Sequence, residues 1–235
     1  MQFSFLPYAV AFCLTRCARE VEGTQVGRED EDPVLTEYAR LAGQYDRRWS
    51  CYIDATTRET LKRLCPHPGH ALLDVGCGTG MFLQALASAF PSVKLAGVDP
   101  SSAMLDIARA KLGPAAELKP GRAERLPFLD EAFDVVVSTS TFHYLRRPGK
   151  ALREIARVLK PGGEIVITDW CHDYLACHVY DLILRCFNRA HFRTHGRDEC
   201  RRFLADSKFQ SIDIDRYKIN WLWGLMTAKA QKPAS

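Results

Sequence analysis

The sequence predicts a doubly wound α/β fold with a mostly parallel sheet in a single domain. Short apolar runs of strand length alternate along the chain with helical runs, which is typical of right-handed βαβ units. A glycine-rich loop at residues 76–80 joins the first predicted strand to the helix that follows it. The length of 235 residues suits one domain of this type.

The composition is that of an ordinary globular protein. Apolar residues make up 47% of the chain and charged residues 26%, and the formal net charge of +4 is too small to indicate a nucleic-acid groove. The nine cysteines are unevenly spread rather than arranged as a dense disulfide framework. Reduced thiols and a cytoplasmic location are therefore expected.

Residues 1–32 are expected to form a poorly ordered N-terminal extension that precedes a domain at 33–235. The apolar run Phe3–Leu14 is too short to span a bilayer and follows no basic region, so stable membrane insertion is not expected. A targeting segment is the alternative for this run. The acidic stretch at residues 28–33 is typical of a linker.

The first half of the domain begins with a predicted helix, Val34–Leu64, that ends before Pro66. Its residues Tyr45, Trp49 and Tyr52 recur at helical spacing and share one face. Apolar runs and turn residues then predict a strand at 71–75, a helix at 81–90, a strand at 93–98, a helix from the N-cap Ser101 to Leu112, and a strand at 116–119.

The second half continues the alternation and completes seven strands. The predicted elements are a strand at 133–138, a helix at 150–159 that is stopped by Lys160–Gly163, a strand at 164–168, helices at 174–187 and 198–207, and strands at 211–219 and 222–229. The expected architecture is a Rossmann-like, seven-stranded, mostly parallel sheet with an antiparallel C-terminal strand and helices on both faces.

The segment 170–195 departs from the alternating pattern and is expected to shape a substrate pocket. Its composition favours an aromatic-lined cavity for a small organic molecule, although an ordinary amphipathic helix is the alternative. The aromatic and histidine residues concerned are Tyr174, Tyr180, Phe187, His191 and Phe192.

The glycine loop predicts a nucleoside-binding site at the carboxyl end of the first strand. The glycines are spaced Gly76-x-Gly78-x-Gly80. A dinucleotide fingerprint, Gly-x-Gly-x-x-Gly, requires its last glycine at position 81, where this sequence has Met81. This spacing disfavours a nicotinamide dinucleotide and fits a nucleoside that lacks a diphosphate; a tight turn without a ligand is the alternative. Asp99 ends the next strand, where a carboxylate can accept hydrogen bonds from ribose hydroxyls. We expect this side chain to have no role in the core.

The ordered motifs between about residue 70 and residue 170 resemble those of class I S-adenosylmethionine-dependent methyltransferases. Leu72–Gly80 resembles the signature loop of the family, and Gly97–Ser101 is similar to its ribose-binding strand end. The later matches are Arg122–Phe128 to the adenine-side loop, Phe133–Ser138 to the fourth strand, and Leu152–Gly163 to the helix and turn before the fifth strand.

The resemblance implies a binding site for S-adenosyl-L-methionine. Asp74 and the glycine backbone would hold the methionine part of the cofactor, and Asp99 would bind the ribose. Ala123 and Glu124 would approach the adenine amine. Met104, which could instead be plain core, would lie against the adenine with Leu126. The whole implied set is Tyr45, Asp74, Gly76, Cys77, Gly78, Thr79, Gly80, Asp99, Pro100, Met104, Ala123, Glu124, Leu126, Ser138 and Thr139, with Ser138 and Thr139 beside the sulfonium.

The family likeness also favours the branch that modifies small molecules such as ubiquinones and sterols. Tyr45-Asp46 resembles a Tyr-Asp pair in the lid helix of that branch, although an aromatic face packed on the core is the alternative. Methyl transfer from a sulfonium needs a general base only where the acceptor must lose a proton. His143, after the fourth strand, is the candidate for that base.

The expected partner is a small organic acceptor. Ser138–Phe142 stands where DNA methyltransferases carry an Asn-Pro-Pro-Tyr-like motif, so DNA is not expected as substrate. The pairs Cys171-His172 and Cys177-His178 are spaced too widely for a typical structural zinc site, and no metal is expected. An RNA or protein acceptor, and a cofactor-binding protein without turnover, remain alternatives; the oligomeric state stays open.

Overall fold

The computed structural model describes residues 33–175, 177–179, 181–182, 193–220 and 223–234. The predicted extension at residues 1–32, with Phe3–Leu14, lies outside the described residues, as do Tyr180, Phe187, His191 and Phe192 of the predicted pocket segment. Among the described helices, none combines the length and apolar character needed to cross a bilayer.

The described residues form seven strands: β1 Ala71–Val75, β2 Lys94–Asp99, β3 Ala116–Pro120, β4 Phe133–Thr139, β5 Leu159–Trp170, β6 Gln210–Lys218 and β7 Gly224–Gln231. They form one sheet in the order β3-β2-β1-β4-β5-β7-β6. The first five strands of that order are parallel, and β7 lies antiparallel between β5 and β6. The predicted sheet, with its antiparallel C-terminal strand, is confirmed.

Helices cover both faces of the sheet, as predicted. Neighbouring residues of β1 face opposite sides because side chains alternate along a strand. The helix bounds are α1 Pro33–Leu61, α2 Met81–Ala89, α3 Ser102–Leu112, α4 Pro148–Val158 and α5 Arg197–Asp206. Leu72 packs in a core with α2 and α3, whereas Leu73 packs in a second core with α4 and α5.

Local chemistry explains where the helices around the site begin. Ser101 caps α3 as predicted: its Oγ accepts a hydrogen bond from the Met104 amide at 3.4 Å. Gly80 precedes α2 with a φ of 78°, a left-handed conformation that a residue with a Cβ adopts at a cost. A single 3₁₀ turn, Phe142–Tyr144, follows β4.

Strand β5 is longer at both ends than the predicted 164–168. The predicted stop at Lys160–Gly163 instead lies within the strand, where the pairing with β4 shifts register between Phe133 and Val135. At the other end, the pairing with β7 continues through Asp169 and Trp170. This extension places the side chains of Asp169 and Trp170 at the edge of the sheet where the glycine loop also lies.

Candidate active site

The candidate site lies at the carboxyl ends of β1, β2, β4 and β5, where the strand order reverses between β1 and β4. Open α/β sheets bind ligands at such a reversal. A cavity of about 70 Å³ lies there between α1, the glycine loop and the end of β4. Its lining comprises Tyr45, Tyr52, Ile53, Thr56, Thr57, Gly76, Cys77, Gly78, Thr79, Met81, Phe82, Thr139 and Ser140.

The three glycines of the loop have positive φ angles but differ in surroundings. A Cβ on Gly76 would overlap the Thr141 side chain, and one on Gly80 would lie 2.9 Å from Leu112 Cδ1. A Cβ on Gly78 would meet nothing within 4 Å. Packing therefore demands glycine at positions 76 and 80, whereas at position 78 the backbone borders open space that a ligand can enter.

Asp74 is a buried carboxylate without a partner. It lies at the end of β1 with 1% of its surface exposed, and neither carboxylate oxygen has a hydrogen-bond partner. Burial, with a smaller contribution from the charge of Asp99, raises the pKa of Asp74 to about 8. Leaving such a group unpaired is costly, so the orphaned carboxylate fits a ligand that brings an ammonium group.

Asp99 connects the end of β2 to two other elements. Its Oδ2 accepts a hydrogen bond from the Gly78 amide at 2.9 Å, and its Oδ1 accepts one from the Ser101 amide at 2.8 Å. Burial raises the pKa of Asp99, while these two amides act to lower it. The expectation that this carboxylate has no structural role is wrong, because it holds the glycine loop and the start of α3.

Helix α1 lies over the glycine loop through Asp46. One carboxylate oxygen of Asp46 accepts from the Thr79 hydroxyl, and the other pairs with Lys111 of α3. Lys111 also donates to the Thr79 carbonyl at 3.0 Å. The adjacent Tyr45 lines the cavity, and burial raises its pKa to about 12. The Tyr45-Asp46 motif pointed to this contact, but nothing in the sequence singled out Lys111.

The end of β4 carries residues from the predicted set and one that sequence reasoning missed. Ser138 is buried and donates to the Val75 carbonyl at 3.0 Å, while Thr139 lines the cavity. Ser140 was not predicted: it has a φ of 53°, unusual for a residue with a Cβ, and its Oγ lies 2.8 Å from the Tyr52 hydroxyl.

Other predicted residues lie around the cavity rather than on its surface. Ala123 and Leu126 are buried in the core beneath α4, and Met104 is buried on α3. Cys77, by contrast, borders the cavity, and its side chain packs into the opposite core, towards Gly97. Roles for these residues, and for Pro100 and Glu124, stay predictions.

His143 forms a buried pair with Asp169. Its Nδ1 lies 2.7 Å from Asp169 Oδ1, and its amide donates to Asp169 Oδ2 at 2.9 Å. Although burial acts to raise the pKa of Asp169, His143 and two backbone amides lower it below its ordinary value. His143 itself is not on the lining of the 70 Å³ cavity. Because the predicted strand ended at Thr168, sequence reasoning missed Asp169.

The segment after β5 contributes less to the cavity than predicted, as far as its described residues go. Tyr174 packs against Gly224 of β7 and does not line the cavity. His172 Nε2 lies 2.7 Å from His178 Nδ1, and Cys177 Sγ accepts from the Gly224 amide at 3.2 Å. The described residues contain no cluster of three side chains arranged to hold a metal ion.

Comparisons with known proteins agree with this geometry. A family model described as "Methyltransferase domain" matches residues 73–167. An O-methyltransferase of Penicillium expansum is 30% identical over 195 residues, covering 81% of this chain and 66% of the relative. A demethylmenaquinone methyltransferase of Lactococcus lactis is 40% identical over 159 residues, covering 62% of each protein.

A solved structure shares the fold at low identity. It is an S-adenosylmethionine-dependent methyltransferase of Thermotoga maritima with a TM-score of 0.71 and 21% identity, and the match covers 85% of this chain and 99% of that one. This chain belongs to the class I S-adenosylmethionine-dependent methyltransferases, and S-adenosylmethionine is the cofactor of that family. This chain spans 66% of the length of the Penicillium expansum relative and 62% of the Lactococcus lactis relative, which is less than two thirds of each.

Proposed function

We propose that this protein transfers the methyl group of S-adenosylmethionine to a small organic acceptor. The observation that carries this proposal is the Asp74 carboxylate, which is buried without a hydrogen-bond partner in β1, the strand that leads into the glycine loop. The methionine part of the cofactor brings the ammonium group that such a carboxylate needs.

The remaining groups at the site suit the other parts of the cofactor. Asp99 has carboxylate lone pairs beyond its two backbone hydrogen bonds, and these can accept the ribose hydroxyls. Tyr45 and the Gly78 backbone would enclose the methionine part. Glu124 would approach the adenine, with the buried residues Ala123, Met104 and Leu126 behind it.

The bound cofactor supplies an activated methyl group on a sulfonium. The task of the protein is then to hold the acceptor in line with that group and to exclude water. Helix α1 serves the second purpose, since its Asp46 joins it to the glycine loop and its Tyr52 closes the cavity at the end of β4. His143 would take a proton from acceptors that must lose one.

Three observations favour a small acceptor. The cavity of about 70 Å³ is small and is bordered by α1, which suits a compact molecule. The relatives are named as an O-methyltransferase and a demethylmenaquinone methyltransferase, and the second name denotes transfer to a small molecule. No Asn-Pro-Pro-Tyr-like motif follows β4, which disfavours DNA. A cytoplasmic location is part of this proposal, supported by the free, exposed thiols of Cys51 and Cys65.

Turnover with an acceptor panel tests the proposal. The full chain is incubated with S-adenosylmethionine and with phenols, hydroquinones, carboxylic acids, amines, an RNA pool or a protein extract, and release of S-adenosylhomocysteine is measured. Product with any small acceptor supports the proposal, and product only with RNA or protein overturns its acceptor class. Binding of the cofactor without turnover across the panel would favour a cofactor-binding protein.

A further inference from the structure

A cleft of about 1040 Å³, here named the edge cleft, lies on the sheet at its β3 edge. Its lining comes from the first residues of β1, β2 and β4, from β3, and from the connection between β3 and β4 at residues 121–132. The edge cleft shares no lining residue with the cavity at the carboxyl ends of β1 and β4. It is therefore separate from the candidate active site, and its volume is that of a site for a small molecule.

The edge cleft exists because no helix covers this part of the sheet. On the opposite face, α2 and α3 pack over β1 and β2. On the cleft face, the chain passes from β3 to β4 through residues 121–132, all of which the structure describes, without forming a helix. Ala96 of β2 and Glu117 of β3, which are partners in the parallel register, both line the cleft. The connection therefore leaves open space beside these two strands.

Hydrogen bonds from α4 hold the wall of the edge cleft that the β3–β4 connection forms. Arg157 donates to the carbonyls of Leu126 at 3.0 Å and Phe128 at 2.9 Å. Glu154, which is itself bonded to Arg157, accepts from the Leu126 amide at 2.9 Å. These bonds fix the backbone of the wall in the free protein. A ligand that binds there does not have to order the wall, which lowers the entropic cost of binding.

Most residues that line the edge cleft are apolar. Leu95, Ala96 and Phe133 are buried where the cleft meets the sheet. Leu129 also lines the cleft, but 83% of its surface is exposed. A leucine as exposed as this contributes little to folding, and apolar side chains in a cleft are typical of ligand-binding sites. The apolar body of a ligand would cover this surface.

The charged residues of the edge cleft are mostly basic. Four basic residues and one acidic residue line it: Lys94, Lys119, Arg122, Arg125 and Glu117. Lys119 is paired with Glu117 at 2.8 Å, and its Nζ lies 4.6 Å from the centroid of the Phe128 ring. Lys94 and Arg125 are exposed, and neither has a carboxylate partner among the residues that the structure describes. The lining is therefore electropositive and complements an anionic group.

We propose that the edge cleft binds an organic anion with an apolar body, such as a carboxylate on an alkyl chain. Lys94 and Arg125 would receive the anionic group, and the apolar lining around Leu129 would cover the chain. Exposed cations alone give weak binding that salt screens, and apolar surface alone does not select for charge. The two features together favour a ligand that carries both a charge and a chain. Such binding is independent of the methyl transfer proposed above.

Titration calorimetry of the full chain with matched probes separates the charge from the chain. Dodecanoate carries both, butyrate carries the charge with a short chain, and dodecyltrimethylammonium carries the long chain with the opposite charge. All are used below their micelle concentrations. We expect dodecanoate to bind about tenfold more tightly than dodecyltrimethylammonium, or better, and butyrate to give no measurable binding because few methylene groups are buried. Equal affinities for the two dodecyl probes would overturn the proposal.

Substitutions of exposed residues test whether dodecanoate binds in the edge cleft. Lys94→Gln combined with Arg125→Gln should weaken its binding about tenfold, and Leu129→Ser about fivefold. Arg202→Gln is the matched control, since Arg202 is an exposed arginine of α5 that does not line the cleft. All these side chains are exposed, so the variants should keep the wild-type melting temperature. Wild-type affinity in the variant that lacks both cations would overturn the proposal.

The chemical shifts of backbone amides locate the bound probe directly. Dodecanoate should change the shifts of Ala96, Leu129 and Ala132, which line the edge cleft, and leave those of Gly78 and Thr79 unchanged. Changes confined to Gly78 and Thr79 would place dodecanoate in the other cavity and overturn the proposal. A hexaglutamate peptide that binds more tightly than dodecanoate would also overturn it, and would favour an acidic segment of a protein as the occupant.

Discussion

The carboxylate of Asp99 bonds the amide of Gly78 at 2.9 Å, and so joins the end of β2 to the middle of the glycine loop. One side chain therefore shapes the loop and offers its remaining lone pairs to a ribose. The same carboxylate receives the Ser101 amide at the start of α3. Cofactor binding and local stability are thus coupled at a single residue.

Replacement of Asp99 by alanine should weaken both cofactor binding and the stability of the fold. Affinity for S-adenosylhomocysteine should fall by about 1.5–3 kcal/mol, the scale of hydrogen bonds to a charged group. The melting temperature should also fall, because the Gly78 and Ser101 amides lose their acceptor. Calorimetric titration and thermal unfolding measure the two effects. Wild-type affinity in the variant would remove the ribose assignment.

A methyl group on Gly78 should act mainly on the ligand. Gly78→Ala places its Cβ in the open space where the ligand approaches, so affinity for S-adenosylhomocysteine should fall at least tenfold. Gly69→Ala is the control: Gly69 has a φ of 84° against 52° for Gly78, and a Cβ on either glycine meets nothing within 4 Å. In each variant alanine must adopt a positive φ, which costs about 1 kcal/mol. Equal affinities in the two variants would make residues 76–80 a structural turn only.

Cofactor affinity should depend on pH through Asp74. The free protein holds Asp74 protonated below its pKa of about 8, whereas the bound ammonium requires the ionised form. Affinity for S-adenosylhomocysteine should therefore rise nearly tenfold per pH unit from about pH 6 and level off near pH 8. Titrations in buffers of different ionisation enthalpy should detect release of a proton on binding. In Asp74→Asn this pH dependence should vanish, and its persistence there would assign the effect to another group.

The same carboxylate should cost the free protein stability as the pH rises. Between the ordinary pKa of 3.8 and the folded value of about 8, the folded state binds a proton that the unfolded state has lost. Stability from this group is therefore present at low pH and falls towards pH 8. Asp74→Asn removes that loss, so its advantage over wild type should be about 3.5 kcal/mol larger at pH 8 than at pH 5. Denaturant unfolding at the two pH values measures it, and a constant difference would contradict the raised pKa.

Loss of the Asp46 side chain should loosen α1 from the glycine loop. Asp46→Ala removes the bonds to Thr79 and Lys111, so S-adenosylhomocysteine should dissociate faster while the fold persists. Stopped-flow fluorescence follows the dissociation, with Asp106→Ala as control because Asp106 pairs with Arg109 on the exposed side of α3. An unchanged rate in the Asp46 variant would mean that α1 is not a lid over the cofactor.

Hydrophobic period and glycine spacing were enough to predict the sheet, the helices on its faces and the position of the glycine loop. They were enough because each depends on local sequence: the buried strand Ala71–Val75 is apolar at all positions except Asp74, and Ser101 caps the helix that follows it. Contacts between distant residues were not predictable in this way. Asp169 of β5 meets His143 of the 3₁₀ turn after β4, and Lys111 of α3 meets Asp46 of α1, so neither pair leaves a spacing signal.

Two errors had the same physical origin. The strand prediction ended at Thr168 because a polar Asp169 is atypical of a buried strand, yet its hydrogen bonds to His143 satisfy it there. Asp99 was expected to lie outside the core because it ends a strand, yet backbone amides pay the cost of its burial. In both places a polar group is buried because the fold supplies donors that sequence alone does not reveal.

Calorimetric titration of the wild-type chain at pH 8, with S-adenosylhomocysteine and in parallel with NAD, tests the central claim most directly. Asp74 and the spacing of Gly76, Gly78 and Gly80 predict that S-adenosylhomocysteine binds one molecule per chain and that NAD gives no binding heat. Binding of NAD without binding of S-adenosylhomocysteine would contradict the assignment of this site to S-adenosylmethionine.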